Sequence, residues 1–188
     1  MRYLNYFLLA AILGALQGCF PVVATGVGTG ALMASDRRTT GTYIEDEGIG
    51  FKAISQIDTK YKNTVYVNIT SFNRHVLITG EVPSEAAKAD IAQIVASVPN
   101  VKAVSNELVV SGLSGVTSRS GDSIITGDIK LRFLHSKTFQ ASHIKVVTEN
   151  GTVFLMGLVY RKEAEAATEV ASTTSGVQRV VKVFEYLD

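Results

Sequence analysis

The sequence predicts an α+β protein made of two copies of one folding unit. An internal repeat with an offset of 77 residues, which aligns Gly80 with Gly157, is the main observation behind this prediction. Hairpin signals that recur at the same place in each copy are the second. We therefore place two folded units at 43–112 and 121–188, with a Ser/Gly linker at 113–120.

Each unit shows the same order of elements, α-β-β-α-β. Apolar residues recur at helical spacing at the start of each unit, namely Ile49, Ala53 and Ile57 in the first and Ile125, Ile129 and Phe133 in the second. Two β-branched strands follow, joined by a turn at Asn73-Arg74 or at Glu149-Asn150-Gly151. This order predicts a three-stranded mixed sheet with two helices on one face in each unit.

A second helix and a last strand complete each unit. The helices are predicted at 84–98, with Ser84 as N-cap, and at 161–174. The final strands are predicted at 101–110 and 177–187.

The start of the chain has the features of a bacterial export signal. An apolar run at 7–16 is shorter than the roughly 20 residues that a membrane-spanning helix needs, so residues 1–18 are interpreted as a signal peptide. Leu16-Gln17-Gly18-Cys19 resembles a lipobox, which implies lipidation of Cys19; the alternative is a buried cysteine behind an ordinary cleaved signal. We expect residues 19–42 to form a flexible lipidated tether.

Composition excludes several functional classes. The chain has 18 basic and 17 acidic residues, without the basic excess of nucleic-acid-binding proteins. Its single cysteine can form neither an internal disulfide nor a cysteine-rich zinc site. His75, His135 and His143 show no metal-binding spacing and are expected at the surface or in turns. We expect no catalytic residues, metal or cofactor; an enzyme would need a pocket that gathers His135 or His143 with carboxylates.

The opening helix of the second unit has an apolar stripe that its own core does not require. At about 100° per residue, three side chains lie opposite the predicted core face: Ile124, Leu131 and Leu134. The matching positions of the first unit are Gly48, Ser55 and Asp58. Cations flank the stripe at Lys130, Arg132 and Lys137. Asp128 also lies near it and would repel anionic headgroups unless it pairs with Arg132.

Two interpretations of this stripe remain open. Apolar side chains bordered by cations are typical of a helix that lies on a lipid surface. The alternative is that Ile124, Leu131 and Leu134 pack against the first unit and form the interface between the two units.

Several segments of the chain resemble the BON domain. They are the junction glycines Gly80 and Gly157 and the segments VPNVKAV at 98–104 and TSGVQRV at 174–180. Two such domains behind a lipobox resemble the outer-membrane lipoproteins with two BON domains, with VTENGTVFLMGLV at 147–159 as the most specific segment. The approach DRRTTGT at 36–42 shares the resemblance.

The resemblance implies a non-enzymatic lipoprotein of the outer membrane that faces the periplasm and supports envelope integrity, with recruitment to division sites. Phe20 agrees with this location, because Asp after the lipidated cysteine is the usual inner-membrane retention signal. The implied partner is an anionic phospholipid, phosphatidylglycerol or cardiolipin, bound by the second domain. The alternative is a protein-interaction scaffold that assists the β-barrel assembly machinery, with the first domain orienting the second or contacting another envelope protein.

Overall fold

The computed structural model describes residues 36–111 and 116–188. The predicted signal peptide, Cys19 and most of the predicted tether lie outside the described residues. The first domain contains helix α1 (Thr40–Tyr61), strands β1 (Tyr66–Phe72) and β2 (His75–Val82), helix α2 (Glu85–Ala96) and strand β3 (Ala103–Val110). The second contains helix α3 (Val116–Leu134), a 3₁₀ turn (Ala141–His143), strands β4 (Ile144–Glu149) and β5 (Thr152–Val159), helix α4 (Arg161–Ser172) and strand β6 (Arg179–Tyr186).

Each domain forms a three-stranded mixed sheet, which confirms the predicted fold class. The strand orders are β1-β2-β3 and β4-β5-β6. In each sheet the hairpin strands pair antiparallel and the last strand pairs parallel to the central one. Both helices of a domain cover the same sheet face, because their buried residues join one apolar cluster with the strands.

The first helix of each domain begins before the predicted start of its unit. Helix α1 begins at Thr40 rather than after residue 42, because the Thr39 hydroxyl caps it by accepting a hydrogen bond from the Thr42 N–H at 3.1 Å. Residues 36–38, expected in the tether, also pack on the folded domains through ion pairs. Helix α3 begins at Val116, inside the predicted linker.

A buried carboxylate on each opening helix holds the following hairpin turn. Asp46 accepts hydrogen bonds from the two N–H groups of the Asn73-Arg74 turn at 2.8 and 2.7 Å. Asp122 accepts the two N–H groups of the Asn150-Gly151 turn, both at 2.8 Å. All four turn residues have positive φ, as a two-residue type I′ turn requires. The predicted turns are confirmed, and the aspartates fix each hairpin to its helix.

The junction glycines are required by a close approach of the neighbouring strand. A Cβ atom on Gly80, whose φ is +119°, would lie 2.0 Å from the carbonyl oxygen of Tyr66. On Gly157 it would lie 2.4 Å from the carbonyl oxygen of His143. Any side chain at either position would displace the edge strand of its sheet.

The sheet faces that the helices leave open pack against each other. An apolar cluster from both domains fills this interface: Phe72, Leu77, Phe154, Met156, Leu158 and Val183. Polar contacts surround it, with Asn68 Nδ2 donating to Glu149 Oε2 at 2.9 Å and Asn73 Nδ2 donating to Glu185 Oε2 at 2.7 Å. The layers therefore run helices, sheet, sheet, helices, with α1 and α3 in opposite outer layers.

The segment Asp36-Arg37-Arg38, which we name the N-terminal clasp, binds both domains. Arg37 donates to both carboxylate oxygens of Glu163 at 2.6 and 2.8 Å and to the Leu158 carbonyl at 2.7 Å. Arg38 donates to Asp46 at 2.9 Å, and its guanidinium lies 3.9 Å from the centre of the Phe72 ring. The chain thus joins the two domains before the first helix begins.

The clasp makes a pH-dependent contribution to stability. Hydrogen bonds from Arg37 lower the pKa of Glu163 below its usual 4.5, so this contribution is present above that pH and is lost as the pH falls through the lowered value. We expect Arg37→Gln to reduce the free energy of unfolding by about 1.5–3 kcal/mol at pH 7, and by much less once Glu163 is protonated. Urea unfolding of both proteins across this pH range tests the prediction, which an unchanged difference at acid pH would contradict.

The aspartate that holds each turn should matter for stability. Asp122→Asn halves the acceptor capacity that faces the Asn150-Gly151 turn, so we expect the free energy of unfolding to fall by about 1.5–3 kcal/mol. Asp128→Asn on the same helix is the control, because Asp128 is exposed. Thermal unfolding followed by circular dichroism measures both, and equal midpoints would refute the role of Asp122.

Candidate membrane-facing surface

Helix α3 buries one side and exposes apolar residues on the other. The predicted core residues are buried, with Ile125 9%, Ile129 0% and Phe133 1% exposed. The opposite side carries the predicted stripe, with Ile124 66%, Leu131 59% and Leu134 69% exposed. We name these three residues the α3 stripe.

The structure excludes the alternative that the α3 stripe forms the domain interface. The two domains meet through their sheets, whereas the stripe lies on the outer surface of the second domain. The burial of the open sheet faces against each other leaves α3 on the outside. The stripe is therefore free to contact a partner outside the described part of the chain.

The cations predicted around the stripe differ in their surroundings. Lys130 and Lys137 are exposed. Arg132 instead binds the end of α4, donating to the Val170 carbonyl at 2.7 Å and to the Thr173 hydroxyl at 2.9 Å. Arg132 therefore fixes α3 against α4 and adds positive charge at a defined position.

Asp128 does not pair with Arg132. No salt bridge to Asp128 occurs among the residues that the structure describes, because the guanidinium is occupied at α4. Asp128 remains an exposed negative charge one turn before Arg132. Its charge would repel an anionic surface.

Helix α1 has a different exposed surface, which does not include the positions that match the α3 stripe. The matched residues Gly48, Ser55 and Asp58 form no apolar stripe, as expected. However, Ile44 and Phe51, seven positions apart, are 66% and 74% exposed. The helical period alone contains this signal, since residues seven apart lie on one side of a helix.

The histidines lie apart from one another in the described structure. His135 is exposed just after α3, and His75 Nε2 lies 2.9 Å from the Ser105 hydroxyl. His143 lies in the 3₁₀ turn, in agreement with the expectation of a surface or turn position, and is only 7% exposed. The 3₁₀ turn places it near Glu163, whose pKa is lowered mainly by Arg37 and in smaller part by His143.

Neither catalysis nor a metal site finds support among the described residues. No group of three or more candidate metal ligands occurs in residues 36–111 and 116–188. Two cavities between helices and edge strands, of about 440 and 310 Å³, contain no histidine in their walls. Within the same ranges, no helix has the length and apolar character that crossing a bilayer requires.

Comparison with known proteins assigns the chain to a family. The model of the BON domain matches residues 52–112 and 121–188, more than half of the chain. The outer membrane lipoprotein DolP of Haemophilus influenzae is 40% identical over 185 residues, which cover 96% of each chain.

Two further relatives are less similar. The 21 kDa hemolysin of Actinobacillus pleuropneumoniae is 34% identical over 81% of this chain and 79% of its own. The osmotically-inducible protein Y of Escherichia coli is 25% identical over 83% of this chain and 80% of its own. The chain belongs to the BON family, as a DolP-like outer-membrane protein with two BON domains.

Proposed function

We propose that this protein is anchored in the outer membrane through acylated Cys19 and docks its second domain on anionic phospholipid through helix α3, without catalysing a reaction. The observation that supports this proposal is the exposure of the α3 stripe on the side of the helix opposite its core. Its sequence-predicted cations Lys130 and Lys137 are also exposed and can reach phosphate groups.

The energetics favour reversible docking. Burying each residue of the α3 stripe in the acyl boundary contributes on the order of 1.5–3 kcal/mol before ordering costs. Lipidation at Cys19 would hold the domain at a high effective concentration near the surface, so a weak contact would be well populated. The chain has no Trp, the residue best suited to the headgroup region, which also favours weak docking.

Docking would support envelope integrity, because it would hold the pair of domains where the membrane is rich in anionic lipid. Recruitment to division sites would follow wherever anionic phospholipid is enriched. Phosphatidylglycerol and cardiolipin are the proposed lipids. Arg132 supports the arrangement indirectly, since it orients α3 against α4.

The α3 stripe can be tested with charged substitutions. We expect Ile124→Glu or Leu134→Glu to weaken binding of residues 36–188 to phosphatidylglycerol vesicles by more than about tenfold, because a carboxylate replaces buried apolar surface. The measurement is vesicle co-sedimentation, with phosphatidylcholine vesicles for comparison and circular dichroism to verify folding. Phe51→Glu, on α1 in the opposite outer layer, is the matched control and should bind like the wild type. Undiminished binding of both α3 variants would refute the proposed surface.

The charges around the stripe should act in opposite directions. We expect Asp128→Asn to strengthen binding to anionic vesicles and Lys130→Gln to weaken it, each by roughly 1 kcal/mol at low salt. Both effects should shrink at high salt, because exposed charges are then screened. Titration with vesicles of increasing phosphatidylglycerol content measures them. Equal affinities of the two variants would show that headgroup charge does not contribute.

A further inference from the structure

An open groove runs along the edge strand of the first domain. Its volume is about 440 Å³. Successive residues of β1, from Val67 to Ser71, form one wall, and Gly50, Phe51 and Ile54 of α1 belong to the other. Lys145, on β4 of the second domain, closes one side. We name this feature the β1 groove.

The β1 groove contains backbone groups that no described residue bonds. Phe72 and His75 face each other across the two-residue turn, so they form a hydrogen-bonded pair of the antiparallel ladder. Hydrogen-bonded and non-hydrogen-bonded pairs alternate along the ladder. The N–H and C=O groups of Val67, Ile69 and Ser71, which belong to non-hydrogen-bonded pairs, therefore point away from β2. None of the hydrogen bonds formed among the described residues uses these backbone groups. An edge strand of this kind is a template for pairing with another extended chain.

Lys145 adds a cation that lacks an ion-pair partner. Among the described residues, no carboxylate oxygen lies within 4.0 Å of its ammonium. Burial lowers the pKa of Lys145, so its charged form is held in an unfavourable setting. Four charged residues act on it from the surrounding elements: Glu47, Arg38, Asp46 and Lys130. Asp46 is already bound to Arg38 and to the turn, and neither Asp46 nor Glu47 lies within 4.0 Å of the ammonium. A carboxylate from another chain could therefore be a direct partner for Lys145.

The second domain lacks these features at the matching place. Thr126 replaces Gly50 there, and its hydroxyl bonds the Thr148 hydroxyl at 2.7 Å across the gap between α3 and β4. Asn68 of the first domain occupies the place of Lys145 and donates to Glu149. The duplicate cavity, of about 310 Å³, is therefore bridged. Each cavity has two carboxylates in its walls, Asp46 and Glu47 in the first and Asp122 and Glu149 in the second, but only the first has a lysine. An open groove with a lysine in its wall is thus a property of the first domain and not a necessary product of the fold.

We propose that the β1 groove binds an extended segment of another polypeptide as an additional strand beside β1, with a carboxylate of that segment on Lys145. The backbone groups of Val67, Ile69 and Ser71 supply the strand pairing. Phe51, 74% exposed at the rim, contacts an apolar side chain of the segment. This binding is independent of lipid docking by α3.

A library of random twelve-residue peptides, selected on the full-length protein in detergent, tests the inference. We expect enriched peptides to carry an acidic residue or a free C-terminal carboxylate at a constant position and to shift the amide resonances of Val67, Ile69 and Ser71. Lys145→Gln should weaken their binding by at least about tenfold, and Lys162→Gln, an exposed lysine outside the groove, should not.

A second variant closes the groove without removing charge. Gly50→Thr copies the bridging residue of the second domain, and nothing lies within 4 Å of the added Cβ, so folding should be retained. It should weaken peptide binding by at least about tenfold while leaving vesicle binding unchanged. Gly48→Thr, equally unhindered on the same helix but outside the groove, is the matched control.

Three outcomes would overturn the inference. The first is the absence of any selected peptide, and the second is selection of peptides that bind Lys145→Gln and Gly50→Thr as well as the wild type. The third is a loss of phosphatidylglycerol vesicle binding in Lys145→Gln with peptide binding intact, which would assign the lysine to a lipid headgroup.

Discussion

The packing of one sheet against the other determines which surfaces of this protein meet its surroundings. The interface buries Phe72 and Leu77 of the first domain against Phe154 and Met156 of the second. One face of each sheet lies in this interface, so the helices of each domain cover the other face. All four helices therefore lie in the two outer layers. The exposure of the α3 stripe and the open edge of β1 both follow from this arrangement.

The N-terminal clasp connects this arrangement to the point where the chain enters the folded body. Arg37 reaches Glu163 in the second domain, whereas Arg38 reaches Asp46 in the first. A force on the tether would therefore act on both domains at once rather than on α1 alone. Asp46 also holds the Asn73-Arg74 turn, so the entry of the chain, the first helix and the hairpin share one buried carboxylate.

Local patterns in the sequence predict the elements well but predict their assembly poorly. The helical spacing of Ile125, Ile129 and Phe133 identifies the buried side of α3, and through it the exposed stripe. The sheet interface was not predicted, although β5 contains a usable signal. Its residues 153–159, VFLMGLV, form a near-continuous apolar run, which indicates a strand covered on both faces.

The clasp has no comparable local signal. Arg37 and Glu163 are 126 positions apart, and a pair of arginines beside turn-forming residues has the composition of a flexible approach. The position of Lys145 in the groove also has no signal in the local sequence, because it depends on which residues of the other domain lie across the groove. Long-range charge contacts follow from the final packing and therefore cannot be derived from local periodicity.

Duplication explains how one fold came to present two different surfaces. The buried aspartates, the two-residue turns and the junction glycines occur at matching positions in both domains, because each is needed to build the unit. The domains differ where the unit imposes no such requirement, as at Ile124 against Gly48 and at Gly50 against Thr126. Since α1 and α3 occupy opposite outer layers, a bilayer that contacts α3 leaves the outer side of α1 turned away from the membrane. The rim of the β1 groove at Phe51 would then face the periplasm, where an extended polypeptide can reach it.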